Sequence, residues 1–206
     1  MTEFRFDPAE GLVLFRGGHR EPLVLPRLPA LGDIGALAVH GTVNDLAVSG
    51  ARPCWLTAGF VIEEGFPIAE LREIAGSMAA AARAAGVVVV AGDTKVVERG
   101  AADGLYITTA GAGVLEHDLA LGADRVRPGD RILLSGTMAD HGMAVMIARG
   151  DLALDVDLSS DSAPLHELAG ALLGLGGALR WMRDPTRGGV ATALNELAVP
   201  SGLGVL

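Results

Sequence analysis

The 206-residue chain has a single cysteine, Cys54, which excludes an intrachain disulfide and a multi-cysteine zinc site and fits a reducing compartment. Aromatic residues amount to 4% although 50% of the chain is hydrophobic, so the interior has to be built largely from Ala, Val and Leu. Basic residues are also short, 16 Lys and Arg against 25 Asp and Glu. The resulting charge of −9 leaves no basic patch to neutralise a duplex or an anionic bilayer, so neither nucleic acid nor a membrane is expected as the main partner. A small phosphorylated ligand held by a few groups stays open. No run of about 18 uncharged apolar residues occurs, which argues against a membrane span. Residues 1–7 are charged and lack the apolar segment of a secretory signal. A soluble cytoplasmic protein is expected, long enough for one large domain or two small ones.

The most informative stretch is Val87-Val88-Val89-Val90-Ala91, which stops on Gly92-Asp93-Thr94-Lys95. Four consecutive β-branched residues favour a strand, and the absence of alternation predicts one buried on both faces in the middle of a sheet. Just beyond its carboxyl end would lie a glycine, a carboxylate, a hydroxyl and an ammonium, where α/β sheets bind ligands. A carboxylate can ligate Mg²⁺ and a lysine can neutralise phosphate, yet a solvated turn explains these four residues equally well.

Upstream, Leu12-Val13-Leu14-Phe15 and Leu23-Val24-Leu25 read as short strands, with Gly17-Gly18 a turn. A helix is predicted from an N-cap at Asp33 to a stop at Gly50, with Val39, Val43, Leu46 and Ala47 on one face. Asn44 and Asp45 lie off that stripe, where an ordinary wet surface is the simpler account. Residues 53–62 form a strand opened by Pro53, with Cys54 inside it as a buried, inert thiol. Glu63-Glu64-Gly65 is the turn that follows; paired carboxylates can do acid/base work, but acidic residues before a helix also suit its dipole. From Pro67 to Gly86 the residues Leu71, Ile74, Met78, Ala81, Ala82 and Ala85 trace one helical face, so strand, helix and the Val87 strand make a βαβ unit. Residues 105–110 are a further strand that Gly111-Ala112-Gly113 can extend, and this lone Gly-Ala-Gly fails the dinucleotide test because no helix opens after it.

Residues 116–130 turn polar and place a boundary near 118, dividing the chain into 1–117 and 118–206. The second part reads as a strand at 131–136, helices at 142–149, 165–175 and 188–198, and strands at 178–182 and from 203. None of the five histidines has metal-ligand spacing, and His141, in Asp140-His141-Gly142, is more often structural. The loop Asp184-Pro185-Thr186-Arg187-Gly188-Gly189 opens a helix with exposed N–H groups, the ingredients of an anion site, which a capped loop also explains.

Taken together, Gly32-Asp33-Ile34-Gly35, Gly41-Thr42-Val43-Asn44-Asp45-Leu46-Ala47, Gly59-Phe60-Val61-Ile62-Glu63-Glu64-Gly65, Gly92-Asp93-Thr94-Lys95-Val96-Val97 and the 140–142 and 184–189 segments closely resemble the HypE family of hydrogenase maturation factors, in the aminoimidazole ribonucleotide (AIR) synthase-related superfamily. The likeness covers about residues 32–204. It implies an α/β protein: a PurM-like N-terminal domain with a mixed sheet covered by helices, followed by an incomplete α/β C-terminal domain. It also implies bound ATP with Mg²⁺, the metal on Asp45 and Asp93, and a nucleotide site of Asn44, Asp45, Asp93, Thr94, Lys95, Asp184 and Arg187. Lys95, Asp93 and His141 would be the catalytic groups. The family dehydrates a thiocarbamate on its own C-terminal cysteine to a thiocyanate, and the cyanide goes to a NiFe hydrogenase iron. Implied partners are a second copy through the sheet and HypC-, HypD- and HypF-type proteins. The family's glycine-rich N-terminal segment, its Thr-Asp-Ser strand and its Pro-Arg-Ile-Cys tail have no counterpart here. A truncated relative that does not complete the reaction alone is therefore expected. Alternatives are a noncatalytic dimerisation scaffold and a selenophosphate synthetase-like or thiamine monophosphate kinase-like enzyme.

Overall fold

Asp33 caps a helix as expected, its Oδ1 accepting the Gly35 and Ala36 N–H groups at 2.9 and 3.0 Å and the Ser77 hydroxyl at 2.6 Å. The computed structural model describes residues 5–7, 12–18, 33–148, 156 and 158–205. In chain order they form β1 (Arg5–Asp7), β2 (Leu12–Gly18), α1 (Ile34–Val48), β3 (Arg52–Glu63), α2 (Ile68–Ala84), β4 (Val88–Val97), β5 (Leu105–Val114), α3 (Asp140–Ala148), α4 (His166–Leu173) and α5 (Gly189–Ser201). The sheet order is β1-β2-β5-β3-β4; β3 and β4 are parallel, as the βαβ reading requires, and the other pairs are antiparallel. Gly17 and Gly18 continue β2 instead of turning, and the expected 23–25 strand lies outside the described residues.

One face of the sheet carries the core. Val39, Val43, Ile74, Met78, Ala81 and Ala82 from α1 and α2 pack on Leu56 and Ala58 of β3 and Leu105 and Ile107 of β5. Small residues set the spacing. A Cβ on Gly35 would stand 2.3 Å from the Ile74 carbonyl oxygen, and one on Gly111 would meet Thr42 and Leu46 at 2.7 and 2.8 Å. Beneath α1 the buried Thr109 hydroxyl donates to the Ala38 carbonyl at 3.0 Å and accepts from Thr42 at 2.6 Å, so no polar atom of this pair is left dry.

The Val87 run departs from expectation. β4 is the edge strand, and Val88 and Val90 are 58% and 57% exposed, because β3 pairs only one side of it and α2 leans on α1 more than on β4. The strand also does not stop at Gly92: Asp93, Thr94 and Lys95 continue the ladder opposite Gly59, Phe60 and Val61. The close approach for which Gly92 is needed is to the neighbouring strand, since a Cβ there would lie 2.9 Å from the Ala58 oxygen. Cys54 falls where the β3 register shifts between Pro53 and Trp55 and is half-exposed, its Sγ 3.2 Å from Arg52 Nη1. Glu63 is a staple: its carboxylate accepts the Gly100 and Gly104 N–H groups across the β4–β5 turn, which holds it below the usual glutamate range.

In the second part, α3, α4 and α5 form near their expected places, but 131–136, 178–182 and 203–205 are not strands. Ile132, Leu133 and Leu134 are exposed, Leu133 by 77%. Among the described residues no strand pairs with them, and an extended run without ladder partners has no sheet to join.

Gly35→Ala is expected to destabilise the fold by about 2 kcal/mol or more, because helix backbone must move, whereas Gly76→Ala, with open space at its Cβ in exposed α2, should stabilise it by about 0.5–1 kcal/mol. Denaturant midpoints of the two variants check this.

Candidate functional site

Helix α1 buries Val43, Leu46 and Ala47 on the sheet, which turns Asn44 and Asp45 outward toward the second part of the chain. There Asn44 bonds main chain: its Nδ2 donates to the Ala163 carbonyl at 2.9 Å and its Oδ1 accepts the Leu165 N–H at 2.8 Å. Asp45 meets Asp184, the two carboxyls lying within hydrogen-bonding reach, with Arg183 and Arg187 in their field. The face read as ordinary wet surface is thus the contact between the two halves of the chain.

Asp184 is only 7% exposed. Its position follows from the loop. Thr186 N–H bonds the Asp184 carbonyl at 3.1 Å, Gly189 N–H bonds Thr186 at 3.2 Å, and Gly188 starts α5 with φ 74°. Any Cβ at Gly188 would collide with the Thr192 hydroxyl at 1.9 Å, so glycine is required on both counts. Arg183 Nη1 lies 3.9 Å from Asp184 Oδ1 while its Nε is held 2.9 Å from Glu196, which aims the guanidinium along the loop. Burial first, then the Asp184 charge and hydrogen bond, push Asp45 up from 3.8 to about 7, against the opposing pull of Arg183 and Arg187. Asp45 therefore keeps its proton to a higher pH than an ordinary aspartate does.

The other expected groups stand elsewhere. Asp93 Oδ1 accepts its neighbour Thr94 N–H at 2.8 Å, and Asp93, Thr94 and Lys95 are all exposed. Paired residues share a sheet face, and Gly59 and Thr108, in register with Asp93, are opposite in phase to the buried Ala58 and Ile107. Asp93 and Lys95 therefore project from the face that α1 does not cover. Within the chain this register sets Asp93 and Asp45 on opposite sides of the sheet, and the described residue whose carboxyl meets Asp45 is Asp184. His141 is placed by the 160–161 segment, its Nδ1 2.9 Å from Ser160 Oγ and its N–H bonding Asp161 Oδ1 at 3.1 Å.

No group of three or more His, Cys, Asp or Glu able to hold a metal occurs among the described residues. The Asp45–Asp184 pair supplies hard oxygen donors, which suit Mg²⁺ because that ion keeps waters and takes one or two carboxylates together with substrate phosphates. Arg183 and Arg187 supply the charge such phosphates need. Sequence reasoning missed Arg183, although it directly precedes Asp184, and missed Asp184 as the partner of Asp45, because pairing across 139 positions leaves no local pattern.

Residues 4–115 match the family model for the AIR synthase related protein, N-terminal domain, and residues 127–206 that for its C-terminal domain. The carbamoyl dehydratase HypE of Azotobacter vinelandii is 58% identical over 204 residues, 99% of this chain and 59% of that protein. Among solved structures, a HypE–HypF complex aligns with TM-score 0.89 at 48% identity over 97% of this chain and 64% of the other. HypE in complex with ATP aligns with TM-score 0.85 at 46% identity over 96% and 58%. The chain thus spans about 59% of the curated relative's length.

A carboxyl raised from 3.8 to about 7 keeps its proton better in the folded than in the unfolded chain, so it lowers stability as pH rises between those values. Its full cost above pH 7 is at most about 4 kcal/mol, reduced by solvent screening to ~1–3 kcal/mol. Asp45→Asn should therefore be more stable than wild type at pH 8 by that amount and equal to it near pH 4, as read from paired urea titrations.

Proposed function

This chain belongs to the AIR synthase-related family, and on that footing we propose that it is the nucleotide-handling part of a HypE-type carbamoyl dehydratase, which uses ATP to turn a protein-bound thiocarbamate into a thiocyanate for hydrogenase maturation. The observation that carries the reading is the Asp45–Asp184 carboxyl pair flanked by Arg183 and Arg187, in a chain 58% identical to a carbamoyl dehydratase HypE. Moving phosphate onto a carbamoyl oxygen demands charge neutralisation and positioning with little covalent work by the protein. Asp45 and Asp184 would hold Mg²⁺, which when bound offsets the charge of the phosphates. Arg183 and Arg187, in the field of that pair, would neutralise the remaining oxygens.

A cation at this pair competes with the Asp45 proton, so affinity for Mg-ATP should rise with pH through about 7. Along with Thr94, which alternates to the other face opposite Phe60, Asp93 and Lys95 on the uncovered face of the sheet are also assigned to ligand binding. That face, together with the exposed valines of β4, supports a homodimer formed through the sheet, in which a second copy would bury both. A HypF-type partner is proposed from the HypE–HypF likeness, with HypC- and HypD-type partners on the resemblance alone. No described helix is long and apolar enough to cross a membrane, and the cytoplasm is the compartment in which ATP is available.

Calorimetric titration of the chain with Mg-ATP is expected to show binding that Asp45→Asn or Asp184→Asn weakens at least about tenfold, a loss of about 1.4 kcal/mol, and that Asp93→Asn and Lys95→Ala also weaken. Absence of binding in the unmodified chain would refute the retained nucleotide site. For the dimer, light scattering should give twice the chain mass, and Val88→Lys with Val90→Lys should reduce it to the monomer.

A further inference from the structure

Residues 160–165 run along helix α1 and are held from both sides. From α1, His40 Nδ1 lies 3.1 Å from Ser162 Oγ, and Asn44, one turn further on, bonds the Ala163 carbonyl at 2.9 Å and the Leu165 N–H at 2.8 Å. From the second part of the chain, Ser160 Oγ accepts the Ser162 N–H at 3.1 Å and meets His141 Nδ1 at 2.9 Å, and Asp161 Oδ1 accepts the His141 N–H at 3.1 Å. Pro164 sits between the two main-chain groups that Asn44 engages. It offers no N–H and disfavours helical backbone at Ala163, in keeping with α4 opening only at His166. Helix α4 then packs on α1.

An asparagine is short enough to stay beside α1 and carries its donor and its acceptor on separate atoms, so it can serve one main-chain group with each. Both bonds are partly shielded from water, so deleting the carboxamide leaves a carbonyl and an N–H without their partner. The next residue is Asp45, and what it must meet, Asp184, arrives from beyond the strap.

We propose that Asn44 is a positioning residue: by bracketing Pro164 it clamps the second part of the chain onto α1 and fixes how closely the Asp184 loop approaches Asp45. Its role is mechanical, and it does not contact the ligand. The functional importance of the clamp rests on the reading of Asp45 and Asp184 as the ligand-holding pair, whereas the clamp itself can be measured without any ligand.

The direct measurement is disulfide trapping in a Cys54→Ser background carrying Asp45→Cys and Asp184→Cys. With Asn44 intact the pair should oxidise readily. Adding Asn44→Ala should slow cross-linking at least about tenfold, and Asn44→Asp, which keeps the acceptor for Leu165 N–H, should fall between. Hydrogen exchange in the chain with Asp45 and Asp184 retained supplies the second reading: Asn44→Ala should speed exchange at Leu165 by a similar factor while Ile74 and Met78 stay slow, which shows that the core is intact. Unchanged cross-linking and unchanged Leu165 exchange in Asn44→Ala would overturn the proposal. So would a loss of Mg-ATP affinity in Asn44→Ala with both of these readings unchanged, since that pattern belongs to a ligand contact. Failure of the chain with Asn44 intact to bind Mg-ATP would remove the proposed function and leave the trapping result standing.

Discussion

Helix α1 is covered on two sides, and the rest of the molecule is arranged around that constraint. Val39, Val43 and Leu46 are fully buried against the sheet and α2, while His40, Asn44 and Asp45 receive the second part of the chain. A helix with an apolar stripe and a polar stripe ordinarily turns the polar one to water. Here each polar group is matched instead: a serine hydroxyl for His40, two main-chain groups for Asn44, a carboxyl for Asp45. Burial holds His40 below the usual histidine range, consistent with an enclosed seam.

The same arrangement explains the electrostatics of the candidate site. Two carboxyls brought together across a seam lose water and repel one another, so the folded chain keeps a proton that the unfolded chain would release. Arg183 and Arg187 reduce that cost without removing it. A structure that tolerates such a pair is poised to exchange the proton for a cation, and its affinity for that cation depends on how rigidly the seam holds the two carboxyls. The Asn44 clamp, one residue away on the helix, supplies the rigidity.

The sheet shows the complementary asymmetry. Along β5, Leu105, Ile107 and Thr109 point into the core, while Tyr106, Thr108 and Ala110 face away from it with no described layer over them. Exposed valines on the edge strand and the exposed 132–134 run add apolar surface of the kind that association normally covers. Asp93 and Lys95 share the open face, so within one chain the sheet lies between them and Asp45.

Local chemistry was enough to read the elements whose signals are local. The Asp33 cap, the Val39–Val43–Leu46 stripe, the alanine face of α2, the βαβ unit and the glycine-opened α5 follow from side-chain periodicity and backbone freedom within a few residues, and they stand where the sequence puts them. Whether Val88–Val90 was central or at an edge depended on which strand β5 would pair with, and β5 took the inner place beside β3. The 131–136 and 178–182 runs have strand-like composition, but a strand exists only where a partner supplies hydrogen bonds. Asn44 and Asp45 were legible as candidates by type and motif. Their partners, Ala163, Leu165 and Asp184, lie more than a hundred positions away, and only the docking of one half of the chain on the other could assign them.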